Sequence, residues 1–338
     1  MKNGAACIVI VIFLGLAFTS TPRASLVGEL PGNPILQSYK GNTLYVGGSG
    51  PGNYSKIQDA IDNATNGDLI FVYDDSSPYY ENIIIDKSIT LIGENRSTTI
   101  IDARETGGNV VTINVDGVIL TGFSILNCGN NPTSFIGIYI ASNNNKILGD
   151  IISCITHFGE VAISLDHSSN NVISGNIISN HHGGIEVVSS SSNIISKNLL
   201  MNNFREAILL RSSNDNNISE NIIVNNTCGI DVGYSTNNNI NGNEISYNTY
   251  GIEISYSIKN IIIKNNFIKN IVFNAYNIFT TKPFWRNIWD ANYWNRARVF
   301  PQFIFGYIKT SKGNIIPWVN VDWRPAHKPY DVPIRDEK

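Results

Sequence analysis

The spacing of asparagine and isoleucine in this chain predicts an all-β fold, a right-handed single-stranded parallel β-helix, on three observations. First, a phrase Asn-x-Ile-x-x-Asn recurs at Asn171/Asn176, Asn193/Asn198, Asn216/Asn221, Asn238/Asn243 and Asn260/Asn265, in steps of 22, 23, 22 and 22 residues. An altered copy, Asn145/Asp150, stands 26 residues before the first. Second, an apolar phrase precedes most copies by eight residues: Ile163–Leu165, Ile185–Val187, Ile208–Leu210, Ile230–Val232 and Ile252–Ile254. Third, each repeat alternates Ile, Val or Leu with polar residues and breaks at Asn, Ser or Gly. That is the period of strands, not of a helix. Coils of three short strands would stack about 4.8 Å apart. Their equivalent asparagines would then form amide ladders, as identical side chains do in cross-β stacks.

The other elements follow in chain order. Lys2 and the apolar run Ala5–Ala17 read as an export signal over residues 1–24, or as an N-terminal anchor where it is not cleaved. Residues 25–43 read as a linker. The β-helix is expected over residues 44–282. Leu44–Val46 opens it, and Ile57, Ala60, Ile61 and Ala64 share one face of a helix over 54–64. Such a helix covers the open end of a stack, which otherwise exposes apolar bore and strand edge. Less regular early strands follow at Leu69–Tyr73, Ile83–Ile85, Ile89–Ile92, Thr99–Ile101, Val110–Ile113 and Val118–Ile125. After Asn270 the phrase fades. The remainder, 283–338, carries all five tryptophans and is rich in proline. It is read as irregular structure forming an aromatic cap.

At 338 residues with a net charge of −3 and 15% charged residues, the chain offers no basic stripe for nucleic acid. Nor is there a CxxC or Cys/His metal spacing. Cys128 and Cys154 fall at similar offsets on successive coils and could pair in an oxidising compartment. No metal site and no required cofactor is expected. Calcium and copper are the ions the acids and histidines could take.

Several stretches resemble one family. Tyr54–Ile61, Gly67–Val72, Tyr80–Ile83, Lys87–Glu94 and Thr99–Asp102 are similar to the opening of secreted right-handed β-helix proteins of the NosD type. Asn292–Trp294 resembles that family's closing motif. The resemblance spans residues 44–296 and implies a β-helix grouped with carbohydrate-binding and sugar-hydrolase proteins. It brings a copper-enzyme maturation role for one member and no catalytic signature.

Candidate site residues come from stacking the repeat. In each apolar phrase the middle residue points outward, giving the column Tyr139, Ser164, Glu186, Leu209, Asp231, Glu253. Asp231 and Glu253 would sit one rung apart and raise one another's pKa, which suits ligand binding, acid–base work or calcium. A turn column brings Glu160, His182 and Arg205 toward Glu186, Asp166 and Arg211. That patch holds the acid and base that a uronate lyase, hydrolase or epimerase needs, so Glu160, His182, Arg205, Glu186 and Asp166 are the catalytic candidates. Trp285, Trp289 and Trp294 form either a plug or a sugar-binding platform. The composite expectation is a monomeric, secreted, periplasmic or cell-surface protein. It binds polysaccharide or another envelope component without catalysis; the alternatives are catalysis at the charged patch and NosD-like service to a copper enzyme.

Overall fold

The structure, a computed structural model, describes residues 41–103, 108–126, 135–154, 161–279, 286–310 and 312–332. Among them the chain winds into three long walls of hydrogen-bonded strands. The first wall has eleven strands, from Thr43–Val46 to Ile288–Asp290. The second has nine, from Ile100–Asp102 to Tyr293–Trp294, and the third has eleven, from Ile83–Ile85 to Ile315–Asp322. All pairings are parallel except the last in the third wall. This is the expected parallel β-helix.

Register holds while coil length does not. Aligned partners along the first wall run Thr43, Leu69, Thr90, Ile119, Lys146, Val172, Ile194, Asn217, Asn239, Ile261, Ile288. The successive differences are 26, 21, 29, 27, 26, 22, 23, 22, 22 and 27 residues, so extra length is absorbed between strands. The bore is filled by vertical columns such as Ile147, Ile173, Ile195, Ile218, Ile240 and Ile262, all fully buried. Burying each such side chain stabilises the fold by about 1.5–3 kcal/mol.

The corners are held by ladders. Between the first and second walls run Asp150, Asn176, Asn198, Asn221, Asn243, Asn265 and Asn292. At each asparagine rung the backbone N–H and the Nδ2 donate to the Oδ1 of the next. Asn221 shows the pattern: its Oδ1 accepts both donors of Asn198 at 3.0 Å, and its Nδ2 donates to Asn243 Oδ1 and Ile195 O at 2.9 Å. The top of this ladder is closed by Asp322, whose Oδ2 accepts from Asn292 N, Asn292 Nδ2 and Trp294 Nε1. A carboxylate has no donor left to satisfy, so it ends the series. A second ladder runs through Asn145, Asn171, Asn193, Asn216, Asn238, Asn260 and Asn287. A third runs through His181, Asn203, Asn226, Asn248 and Asn270. Serines make a fourth, Ser168, Ser190, Ser213, Ser235 and Ser257, each N–H donating to the next hydroxyl. Sequence reading had not singled out that serine column.

The capping helix is Ile57–Asn63, with Ile57, Ala60 and Ile61 buried. Glu81, far along the chain, accepts the N–H groups of Ile57 and Gln58 at 2.9 and 3.0 Å, and so caps the first turn.

The C-terminal region departs from expectation in two ways. The stack continues past residue 282: Ile288–Asp290 adds to the first wall and Tyr293–Trp294 to the second. Gln302–Lys309 then pairs with the strand Phe273–Phe279, and Ile315–Asp322 folds back on it as an antiparallel hairpin. The prolines do not prevent this, because Pro301 precedes its strand and Pro317 lies in the edge strand, where a missing N–H is tolerated. Tyr330 fastens the tail by exchanging backbone bonds with the Asn266 side chain.

Replacing Asn221 by Ala strands buried donors and acceptors on both neighbouring rungs. It should lower unfolding free energy by about 2–4 kcal/mol, whereas Lys146→Ala, at an exposed strand position, should change it by less than about 0.5 kcal/mol. Chemical denaturation followed by circular dichroism measures both, and equal small effects would contradict the ladder's role.

Candidate functional site

On the third wall, the register confirms the outward column Tyr139, Ser164, Glu186, Leu209, Asp231, Glu253 and extends it to Tyr276. A second column lies beside it: Glu206 pairs with Cys228, Cys228 with Tyr250, and Tyr250 with Phe273. Strict alternation would turn these residues inward, since each lies three positions before its outward neighbour. They face out because two successive residues of each strand turn to the bore: Ala207 and Ile208, Gly229 and Ile230, Gly251 and Ile252, all fully buried or glycine. Space at that corner is small. A Cβ on Gly229 would lie 2.5 Å from Gly251 O, and one on Gly251 would lie 2.2 Å from Asn274 O.

The two columns bring Glu206, Asp231 and Glu253 into one half-buried group around Cys228. Burial foremost, then the Glu253 and Glu206 charges, push Asp231 up to about 7, against the opposing pull of Arg211 and Arg205. Burial and Glu206 raise Glu253 as well. Burial and the three carboxylates hold the Cys228 thiol protonated. Aromatic rings continue the patch toward the C-terminal end. Tyr250 stacks on Phe273 at 4.8 Å, Phe273 on Tyr276 at 5.0 Å, and Tyr276 meets Tyr307 edge-on at 6.0 Å.

Glu160 and Trp285 lie outside the described residues, as do Cys128 and the export segment. Asp166 is engaged by Tyr139 Oη at 3.0 Å and His167 Nδ1 at 2.7 Å. Arg205 places its Nε 3.5 Å from Glu206 Oε2, while its backbone N–H bonds His182 O. His182 is exposed on its turn. Glu186 stands two rungs from Asp231, with buried Leu209 between them, and Arg211 is exposed on the next outward column. Asp231 and Glu253 therefore converge with Glu206, and Arg205 lies one rung from His182, as the turn column expected.

Trp289 and Trp294 are not a platform. They fill the bore of the last coil at 4% and 2% exposure, Trp294 stacked 4.5 Å from Phe267. The isoleucine columns end there, and the large rings close the tube. Glu206, Tyr250 and Phe273 escaped sequence reasoning, although their constant offset from Leu209, Glu253 and Tyr276 was a usable signal.

The acids imply a pH dependence of stability. Folded, Asp231 keeps its proton up to about pH 7; unfolded, it loses it near its ordinary 3.8. Between those values the folded chain binds more protons, so stability falls as pH rises through the window. Asp231→Asn should flatten that decline in denaturation midpoints measured from about pH 4 to about pH 7. An unchanged slope would contradict the environment assigned to this side chain.

Solved structures similar in fold include DFA-IIIase from Arthrobacter chlorophenolicus without its lid, at TM-score 0.57 and 13% identity over 75% of this chain and 81% of that one. A pectate lyase gives 0.53 and 13% over 76% and 80%. The enzymatically active domain of tailspike protein 2 of bacteriophage CBA120 gives 0.54 and 16% over 79% of this chain and 43% of that one. At such identity these likenesses establish the β-helix alone. No curated protein sequence matches the chain. A family model described as periplasmic copper-binding protein (NosD) matches residues 61–299, and the chain belongs to that family.

Proposed function

We propose that the chain is an extracytoplasmic glycan-binding protein whose binding face is the outer side of the third wall. One observation carries the reading: Glu206, Asp231 and Glu253 share a half-buried patch with the rings of Tyr250, Phe273 and Tyr276. Carboxylates and phenols partner sugar hydroxyls, while ring carbons take the apolar C–H faces of a sugar. The family's periplasmic description and the apolar run Ala5–Ala17 support the location.

A second reading, glycoside hydrolysis, is favoured by the protonated state of Asp231 beside Glu253. Rungs about 4.8 Å apart suit the roughly 5–5.5 Å carboxyl separation of retaining enzymes. Asp231 would protonate the glycosidic oxygen as its bond to the anomeric carbon breaks. Glu253 would bond that carbon, and water would then release the sugar.

Copper, which the family description implies, finds no matching donor set among the described residues. Among the described residues no group of three or more His, Cys, Asp or Glu side chains could hold a metal ion. His181 is buried within its ladder and held neutral, its pKa lowered to about 4, and His167 is bonded to Asp166. Maturation of a copper enzyme gains no support from these residues.

The folded chain should bind at least one immobilised polysaccharide, and Glu253→Gln should weaken that binding by about tenfold, a 1.4 kcal/mol change. Retention of wild type on none contradicts the proposal. Release of reducing ends by wild type and not by Glu253→Gln is the result hydrolysis requires; an inactive wild type removes that second reading.

A further inference from the structure

The hairpin of Gln302–Lys309 and Ile315–Asp322 ends the third wall with one face covered and the other bare. Directly opposed residues of an antiparallel pair share a face. On the inner face Ile304 and Ile308 are buried, as are Asn320 and Asp322. The outer face pairs Phe303 with Val321, Phe305 with Val319, Tyr307 with Pro317 and Lys309 with Ile315. Phe303 is 52% exposed, Phe305 64% and Ile315 66%, and Trp323, just past the hairpin, is 71% exposed. Single apolar side chains on a surface are ordinary, but a contiguous sheet face of them marks a docking surface.

Charge identifies what docks. Between Arg286 and Val332 stand seven lysines and arginines against three acids, in a chain whose net charge is −3. Asp290 is paired with Arg324, and Asp322 is fully buried at the end of its ladder, so the exposed charge here is mainly basic. Arg296, Lys309, Lys312 and Lys328 are all exposed. Rings and aliphatic chains set among lysine and arginine suit the boundary of an anionic bilayer, where the apolar groups enter the headgroup region and the cations meet lipid phosphates. A second copy of the chain fits worse, because a two-fold contact would set one basic face against another. An added strand also fits worse: Pro317 lies in the free edge strand, and its missing N–H interrupts the row of donors that pairing would use.

We propose that this hairpin face docks the protein on an anionic lipid surface. The proposal is independent of the glycan reading, whose acids Glu253 and Asp231 lie two and three strands along the wall from Gln302–Lys309.

Vesicle co-sedimentation tests it, with the chain from residue 25 on, which lacks the apolar run Ala5–Ala17 and keeps the compact unit Lys40–Lys338 whole. Wild type should bind phosphatidylcholine vesicles containing roughly one-third phosphatidylglycerol at least about tenfold tighter than phosphatidylcholine alone, and high salt should release it. Phe303→Ser with Phe305→Ser should weaken binding to the anionic vesicles by at least about tenfold, and Lys309→Gln by about fivefold. Ile84→Ser, at a position 52% exposed near the opposite end of the same wall, should leave it unchanged. If the double substitution unfolds the chain, Lys309→Gln and the comparison of the two vesicles on wild type still decide. No binding by folded wild type, equal binding to both vesicles, or binding indifferent to the two phenylalanine substitutions overturns the proposal. So does a dimer in solution that those substitutions dissolve, which would give the face to a second copy.

Discussion

Everything in this molecule depends on satisfying the peptide groups at the corners of the coil. Strands satisfy their neighbours along the walls, but a chain that turns sharply three times per coil leaves donors and acceptors facing inward. Burying one without a partner costs about 1–3 kcal/mol. Asparagine answers this because its amide both donates and accepts, and so can be repeated indefinitely. Each buried amide bonds the rung on either side, and the ladder closes only where Asp322 supplies acceptors and asks for nothing further. Ser168 to Ser257 do the same work at another corner with a smaller group.

Much of this was legible because the ladder residues recur at fixed intervals and a buried amide tolerates little substitution. Asn176, Asn198, Asn221 and Asn243 do lie over one another. Where the turns are longer, as in the coils before Asn145, the period blurs while the register survives: the helix read over 54–64 begins only at Ile57, and Val118–Ile125 divides into the strands Ile119–Thr121 and Ser124–Leu126. The site was only half legible. Asp231 and Glu253 follow from alternation. Glu206 and Cys228 do not, because Ala207 and Gly229 interrupt it to let the backbone pass close to the next rung. The C-terminal hairpin was hidden for another reason: proline suggests irregular chain, and an edge strand is the one place in a sheet where it fits.

Stacking also creates the chemistry. A solenoid makes vertical neighbours of residues one period apart, so like charges can be forced together by covalent spacing and held there by the bore beneath. Glu206, Asp231 and Glu253 are such a group: burial and the Glu253 and Glu206 charges raise the proton affinity of Asp231, and burial and Glu206 raise that of Glu253. The family and the fold fix the scaffold, which proteins of quite different activity share. What this chain adds is an acidic and aromatic face on one wall.

The central claim is that adjacent rungs are coupled through their corner amides. A double-mutant cycle on Asn176→Ala and Asn198→Ala, set against one on Asn176→Ala and Asn243→Ala, addresses it directly. Neighbouring rungs should show a coupling of about 1 kcal/mol or more, and rungs three apart should add within about 0.5 kcal/mol. Additivity in both cycles would contradict the account.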